Sequence, residues 1–482
     1  MSGESVIKIG KRAFLFSALI ILLLMIVSGA LTLILPAGTY DRVTEEGRTL
    51  VVDGSYREIP KPDYPFWRWF TAPVEILFGP ENITPIVLII FIIAVGGSIA
   101  VLESAGILED LVTMLVRRFA KRKYLLIALM ILFFMLCSSF VGIYEGMVPM
   151  IIFIIPIAIS LGWDTMTGLG ISLLPLAFGF ASAVTNPFSI AVAQRIADLP
   201  LFSGAWLRII FLTVIYCLVT AFVIRYAKKV ETDPAASLCY KEDEVLRQKL
   251  RTGPAEKSAE LSGKKQRALV WFSACIALAM ILVVSTARIP GLSDLAFPVM
   301  TLLFLAGGFG GGFFADMGRR TFAAFGRGAL NILPGVVLVL MAYSVKHIIT
   351  TGMIMDTILF GAAELIRRSP PMAAAFLIYA ATLVMNFFIG SASAKAFLMM
   401  PLLTPLADLT GITRQTAVLA FDFGDGFSNM IFPTNALLLI ALSFSVAGYT
   451  KWMAWTWKLQ IAILFITSAF LAFAVYIRFG PF

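Results

Sequence analysis

Four ionisable side chains lie within otherwise apolar stretches of this chain, and they are the groups best suited to chemistry. They are Glu145, Lys395, Asp422 and Asp425. A charge at the centre of a lipid bilayer costs about 2.5 to 3.5 kcal/mol even on the mildest insertion scale, so such residues are expected to bind a solute or an ion. Two structural alternatives stay open: Glu145 pairs with Lys395 as a bridge, and Asp422 caps a helix or faces a wet crevice.

Hydroxyl, amide and small residues accompany these charges in two places. The first group contains Ser138, Ser139, Thr185 and Asn186, and the second contains Ser391, Ser393, Asn429, Thr434 and Asn435. Their oxygens can replace part of a cation's hydration shell, and the ends of broken helices present partial charges. With the four charges they form the candidate substrate site; candidate Na+ ligands are Ser138, Thr185, Asn186, Ser391, Thr434 and Asn435. For the Thr-Asn pairs, the alternative is turn chemistry without ligand contact.

Two kinds of element must position these groups. Residues 124–162 contain two apolar runs, each shorter than the roughly 20 residues of a spanning helix, which predicts a re-entrant hairpin with its tip inside the membrane. Residues 165–199 form a longer apolar segment interrupted near Pro187, where proline removes a backbone donor and opens the helix. The second half of the chain has a matching hairpin at 372–411 and a matching broken helix at 413–447.

The two halves share one register, which indicates a duplicated unit. An offset of 249 residues pairs Pro156 with Pro405, and the same offset relates the two Thr-Asn pairs. The units are 82–226 and 331–482. Because three crossings of the first unit and two further spans separate the entry points, the second unit enters from the opposite face. We therefore predict an all-α polytopic membrane protein built as an inverted repeat.

Composition supports this class. The chain has 482 residues, of which 59% are hydrophobic and 14% charged, and this excludes a soluble domain. The net charge of +9 comes from basic clusters in loops, which the positive-inside rule places in the cytoplasm together with the N-terminus. The charge therefore indicates topology, and no nucleic-acid partner is expected. With a single histidine, no zinc motif and no nucleophile elbow, neither an enzyme nor a cofactor is expected.

Three further regions complete the predicted organisation. Residues 1–81 hold an N-terminal span, an external loop with a short hairpin near 51–54, and an interfacial aromatic segment. Residues 227–266 are polar and charged, and predict a cytoplasmic linker with a short helix near 243–250. Residues 267–330 contain two connecting spans and a basic cytoplasmic segment.

Several short runs resemble the YfcC family of bacterial inner-membrane carriers, which is related to the anaerobic C4-dicarboxylate carriers of the ion transporter superfamily. The runs include Gly179-Phe180-Ala181-Ser182, Asn186-Pro187-Phe188, Asn386-Phe387-Phe388, Met400-Pro401-Leu402-Leu403 and Phe423-Gly424-Asp425-Gly426-Phe427-Ser428. The resemblance implies paired hairpins, a scaffold and a mobile transport domain, a homodimer, elevator-type alternating access, and location in the bacterial inner membrane.

The expected function is secondary active transport of a small carboxylate-bearing solute, by antiport or by coupling to Na+ or H+. An amino acid is the first choice, with basic amino-acid exchange implied by the resemblance. A carrier of C4-dicarboxylates or short-chain carboxylates is the alternative, and a passive channel is a lower one. The partners expected are therefore the solute and the lipid bilayer.

Overall fold

The computed structural model describes residues 11–45, 48–79, 82–108, 110, 114, 119–252, 263–287 and 295–480, and these residues are mostly helical. Among them, eight helices are long and apolar enough to cross a membrane. The helices are α1 (Lys11–Ile34), α2 (Arg68–Glu75), α3 (Ile83–Ser104), α4 (Lys123–Leu136), α5 (Ile151–Ser160), α6 (Thr165–Ser182), α7 (Ile190–Ile196), α8 (Ala205–Thr232), α9 (Glu244–Thr252), α10 (Gly263–Ala287), α11 (Ala296–Phe314), α12 (Arg320–Thr351), α13 (Met355–Arg367), α14 (Pro371–Phe388), α15 (Ala392–Thr410), α16 (Arg414–Gly426), α17 (Ala436–Ser443) and α18 (Tyr449–Tyr476).

Four short strands lie between α1 and α2. Strand β1 (Gly38–Thr39) pairs antiparallel with β4 (Arg57–Glu58), and β2 (Arg42–Glu45) pairs with β3 (Arg48–Val51). The hairpin therefore precedes the predicted position at 51–54, because Gly54, with φ +75°, instead turns the chain from β3 towards β4. The carboxylate of Asp356 on α13 accepts hydrogen bonds from the Tyr40 backbone (2.9 Å) and the Arg42 guanidinium (2.8 Å), which fastens these strands to the second half of the chain.

Each half contains a helical hairpin. In the first, a π-helical turn at Cys137–Val141 continues α4, so the ascending arm Lys123–Val141 is 19 residues long and apolar enough to cross a membrane. The ascending arm of the second, α14, has 18 residues. The prediction that every arm is too short to span is therefore wrong for these two. In the first hairpin the helix continues into the expected tip as far as Val141, and in the second α14 alone is long enough. The returning arm Gly146–Ser160 is shorter, and the rings of Tyr124 and Trp163 lie 6.2 Å apart where the hairpin closes.

The broken helices begin with equivalent caps in the two halves. The Asp164 carboxylate accepts from the Thr167 backbone at 2.8 Å, and the Thr413 hydroxyl accepts from the Thr416 backbone at 3.2 Å. These two caps are 249 residues apart, as are the left-handed glycines Gly162 and Gly411 that precede them. The offset that relates the two halves in sequence therefore also relates local hydrogen bonds at the starts of the two broken helices.

Helices α3, α10, α11 and α12 pack together through glycines. A Cβ at Gly308 of α11 would lie 2.4 Å from the Ser98 hydroxyl oxygen of α3, and a Cβ at Gly328 of α12 would lie 2.4 Å from the Gly96 carbonyl. Ser98 donates its hydroxyl to the Phe304 carbonyl at 2.7 Å. Such close backbone approach is how helices associate in lipid, where the hydrophobic effect between them is absent. On the other side of α10 and α11, Met147, Met150 and Met300 line a narrow apolar gap beside the first hairpin.

A polar segment, residues 233–243, ties the two halves together at one end of the bundle. The carboxylate of Asp243 accepts hydrogen bonds from the Thr165 backbone (2.9 Å) and hydroxyl (2.5 Å) at the start of α6. From α18, Lys451 donates to the Leu238 carbonyl at 2.7 Å. Helix α8 continues to Thr232, past the predicted linker start at 227, and α9 confirms the predicted short helix. Residues 253–262 of the predicted linker lie outside the described residues.

The packing of α3 against α11 predicts that Gly308→Val destabilises the protein. The valine side chain must displace Ser98, and overpacking of this kind typically costs about 1 to 3 kcal/mol. The midpoint of thermal unfolding in detergent should fall. Gly326→Ala on α12 is the matched control, because no atom lies within 4 Å of its Cβ position and its midpoint should be unchanged or higher. An unchanged midpoint for the valine variant would contradict this packing.

Burial raises the pKa of the Asp243 carboxyl to about 6. In the unfolded chain, an aspartate has a pKa of about 3.9. Between this pKa and the pKa of the folded state, the folded protein binds more protons than the unfolded one. The stability contributed by this group is therefore full below about pH 4 and is lost as the pH rises through about 6.

We expect the thermal midpoint of the wild type to rise on acidification from pH 7 to pH 5 by more than that of Asp243→Asn. Asp233→Asn is the control, since its exposed side chain caps only its own turn and the variant should follow the wild-type pH profile. Identical profiles for all three proteins would show that Asp243 is not held in this environment.

Candidate functional site

A buried ion pair occupies the second half of the chain. The Lys395 ammonium donates to the Asp425 carboxylate at 2.5 Å, and both side chains are 0% exposed. Lys395 projects from the first turn of α15, and Asp425 from the last turn of α16. Lys395 therefore has Asp425 as an ionic partner. The side chain of Glu145, the partner in the structural alternative, lies outside the described part of the structure; its backbone begins a short 3₁₀ helix, Glu145–Met150.

One amide organises the surroundings of this pair. Asn386, near the end of α14, accepts a hydrogen bond from the Lys395 ammonium through Oδ1. Its Nδ2 donates to the Ser428 hydroxyl at 2.6 Å and to Asn429 Oδ1 at 3.0 Å. Asn386 lies in one of the runs that resemble the YfcC family, but the sequence analysis did not predict it as a site residue. Its position could have indicated a role, because an amide just before a hairpin tip is costly to bury without a hydrogen-bond partner.

A second pair of buried charges lies where the two halves meet. Asp422 is one helical turn before Asp425 and is 0% exposed, and neither of its carboxylate oxygens has a hydrogen-bond partner among the described residues. The cation that interacts most strongly with Asp422 is Arg208 of α8, whose side chain is also 0% exposed. Arg208 was missed from the sequence because it stands near the start of an apolar helix, where a basic residue usually marks the membrane surface.

The first site is closed by hydrogen bonds within the protein. Ser138 donates its hydroxyl to the Leu176 carbonyl at 2.5 Å, and the Ser139 hydroxyl accepts from the Val184 backbone at 3.2 Å. Thr185 donates to the Phe140 carbonyl at 2.8 Å, and Asn186 accepts from two backbone N–H groups that follow it. These groups join the first hairpin tip to the break after α6, and in this state their hydrogen-bonding capacity is largely used.

The second hairpin tip is more open. Ser391 is exposed and Ser393 half-buried, and their hydroxyl oxygens lie 3.4 Å apart at the N-terminus of α15. Behind them, Thr434 donates to the Phe387 carbonyl at 2.6 Å. Asn435 caps α17 by accepting from the Leu437 and Leu438 backbones, as Asn186 does for residues 188 and 189 in the first half. The turn-chemistry role of both Thr-Asn pairs is therefore present in the structure.

The two sites are parts of one centre. A Cβ at Gly426 of α16 would lie 2.1 Å from Ala181 Cα of α6, so the two broken helices touch where they are interrupted. Helix α7 packs on the returning arm α15 of the other half, and α17 packs on the short 3₁₀ helix 145–150. The side chains of Lys395, Asp422 and Asp425 are thus enclosed, each 0% exposed, since glycine lets the helices close on them. In the described residues, no three His, Cys, Asp or Glu side chains cluster as metal ligands.

Apolar helices of spanning length that enclose charged side chains at two helix breaks define a multi-pass membrane protein. The chain belongs to the C4-dicarboxylate anaerobic carrier family DcuC, whose family model matches residues 15–476. Its members are transporters and not enzymes.

Two relatives and one solved structure can be compared with the chain. The Escherichia coli (strain K12) protein YfcC, by its name a candidate basic amino acid antiporter, is 29% identical over 93% of this chain and 94% of its own. A Haemophilus influenzae protein without an assigned function is 26% identical over 80% of this chain and 75% of its own. The crystal structure of the Alcanivorax borkumensis YdaH transporter matches with a TM-score of 0.41 and 19% identity, covering 97% of this chain and 99% of that one.

The Lys395–Asp425 pair predicts a strongly non-additive mutation series. Lys395→Met leaves a buried carboxylate without its cation, and Asp425→Asn leaves a buried ammonium; loss of one partner typically costs about 3 to 5 kcal/mol. The double variant Lys395→Met/Asp425→Leu removes both charges and should unfold at a higher temperature than either single variant. Thermal unfolding of the purified proteins measures this series.

The matched control is Lys264→Met, which breaks an ion pair with Asp316 whose side chains are 59% and 72% exposed. Its midpoint should change little, because exposed pairs contribute at most about 1 kcal/mol. If the two buried single variants behaved like this control, the ion pair would not exist in the folded protein.

Proposed function

We propose that this protein is a secondary active transporter of a small carboxylate-bearing solute, most simply an amino acid, that works by antiport or by coupling to Na+ or H+. Membership of a transporter family supports the class. The observation that carries the proposal is the second hairpin tip, where an exposed and a half-buried serine hydroxyl lie at the N-terminus of a 19-residue helix whose first turn carries a buried lysine.

The solute carboxylate binds at this tip. Helix N-termini carry a partial positive charge and unpaired N–H groups, which suit an anionic group. The Ser391 and Ser393 hydroxyls supply donors beside that terminus, and the Lys395 ammonium lies one turn further along the same helix. An amino or guanidino group of the solute would meet a carboxylate, for which Glu145, Asp422 and Asp425 are the candidates. The first site, with Ser138, Ser139, Thr185 and Asn186, is the counterpart that opens in the other state.

Two solute classes remain, each with its own support. The name of the Escherichia coli relative favours a basic amino acid, and the description of the family favours a C4-dicarboxylate. In the second case, Lys395 is the partner of the anion. Exchange of labelled arginine, ornithine, succinate and acetate in proteoliposomes separates the two, because only a transported solute supports counterflow.

The transport cycle we propose uses the duplicated architecture. The two units form an inverted repeat in the bacterial inner membrane with the N-terminus in the cytoplasm, the hairpins and broken helices move as a transport domain in an elevator manner, and two protomers form a dimer. The equivalent caps at an offset of 249 residues support the duplication. The glycine-packed helices α3, α10, α11 and α12 would be part of the fixed scaffold.

Replacement of both tip hydroxyls, Ser391→Ala/Ser393→Ala, should raise the half-saturating solute concentration about tenfold. Each lost hydrogen bond to a charged group costs about 1.5 kcal/mol or more, and part of that loss is offset by water. Counterflow in proteoliposomes measures it. The control is Ser369→Ala, because this half-buried serine before the second hairpin donates its hydroxyl to the Leu365 carbonyl at the end of its own helix. An unchanged half-saturation in the tip variant would exclude this tip as the carboxylate site.

A further inference from the structure

The carboxylate of Asp422 is an ionisable group in an unusual buried environment. It is 0% exposed, and both of its oxygens lack a hydrogen-bond partner among the residues described. Buried polar groups are nearly always hydrogen-bonded, so an exception calls for a catalytic, ionic or protonation role. The Ser189 hydroxyl of the first break faces this carboxylate but has no partner of good hydrogen-bond geometry, and Nε of Arg208 is likewise buried without a partner within the described ranges.

The charges around Asp422 can be counted. Arg208 faces it from α8, and Asp425 lies one turn away on the same helix, with Lys395 bonded to Asp425. The other titratable side chains on packed elements are engaged elsewhere or exposed: Tyr379 bonds to Thr467 at 2.7 Å, Tyr449 donates to the Ile431 carbonyl, Asp408 pairs with Arg414, Lys451 pairs with Glu242, Lys458 lies over the Trp457 ring, and Arg195 and Tyr476 are exposed. With all four charged groups ionised, two cations balance two anions. When Asp422 is protonated, the same buried set has one excess positive charge.

Arg208 cannot give up its charge to restore the balance. A guanidinium stays protonated in proteins, and here it donates to three carbonyls, those of Val184 (3.2 Å), Phe202 (3.3 Å) and Ser203 (2.9 Å). Lys395 is held by Asn386 and Asp425. Among the hydrogen-bonding groups described, Asp422 is faced only by the Ser189 hydroxyl, so its protonation state can change without breaking the hydrogen bonds of Arg208 and Lys395.

We propose that Asp422 carries the coupling proton of the transport cycle. The proton enters from the solution on one side, resides on a carboxylate oxygen of Asp422, and is released to the other side. This inference rests on the proposed function and adds the coupling ion and its site. Contacts within the protein connect the proposed solute site to Asp422. The Ser391 carbonyl accepts from the Lys395 backbone at 3.0 Å, and Lys395 forms an ion pair with Asp425, which lies one turn from Asp422 on α16.

The charge count sets the sign of the coupling for each solute class. A net anionic solute binds better to the set with one excess positive charge, so its affinity rises as the pH falls, as in symport. A basic amino acid has the opposite preference, so its affinity falls as the pH falls, as in antiport. By linkage, the proton and the solute change each other's affinity by the same factor.

The experiment measures the dissociation constants of arginine and of succinate by thermal shift from pH 5.5 to pH 8.5, and in parallel measures accumulation driven by a pH gradient in proteoliposomes. In the wild type, the solute that binds should change affinity by about fivefold or more over this range. In Asp422→Asn, which fixes the neutral form, the affinity should vary less than twofold, and the gradient should no longer drive accumulation. Asp422→Glu should restore both responses.

Asp408→Asn is the matched control, because that aspartate forms an exposed pair with Arg414 and should behave as the wild type. A pH response that persists in Asp422→Asn, or accumulation driven by Na+ alone in the wild type, would overturn the assignment while leaving the proposed transport intact. If neither solute binds any of the folded variants, the proposed function fails for these solutes and the coupling role fails with it.

Discussion

The interruption of two helices inside an apolar bundle is the constraint on which the rest of this structure depends. Each break frees backbone N–H and C=O groups that lipid cannot satisfy. The protein meets this demand in the same way twice: an asparagine accepts from two backbone N–H groups that follow it, and a threonine donates to the facing hairpin. Each hairpin is therefore bonded to the break that faces it, and both halves of the chain show the same arrangement.

The two units solve the same backbone problem and then diverge in charge. The first hairpin tip carries serines whose hydroxyls bond to the protein, whereas the second carries a lysine that is neutralised by an aspartate from the adjacent broken helix. Arg208 and Asp422 face each other across the junction between the units. The centre is therefore symmetric in its backbone and asymmetric in its electrostatics, which suits a site that binds a solute with distinct ends.

Much of the architecture was predictable because it follows from periodic and local signals. Apolar run lengths located most of the long helices but underestimated two hairpin arms, and the shared register predicted the equivalent caps of the two halves. Contacts between distant side chains were not predictable in this way. The partner of Lys395 could be any buried carboxylate, and sequence separation does not distinguish Asp425 from Glu145. Arg208 and Asn386 stand at the ends of apolar segments, where composition alone cannot tell a buried polar residue from one at the membrane surface.

The segment 233–243 has a mechanical consequence. Because it bonds both to the start of α6 and to Lys451 on α18, the first broken helix and the last helix of the chain are fastened to one another at that end. The face between the first hairpin and helices α10 and α11 has no such polar fastening among its lining residues, which include Met147, Met150 and Met300. Unbranched thioether chains adopt many rotamers, so in the proposed transport cycle this is the face along which the hairpin would slide.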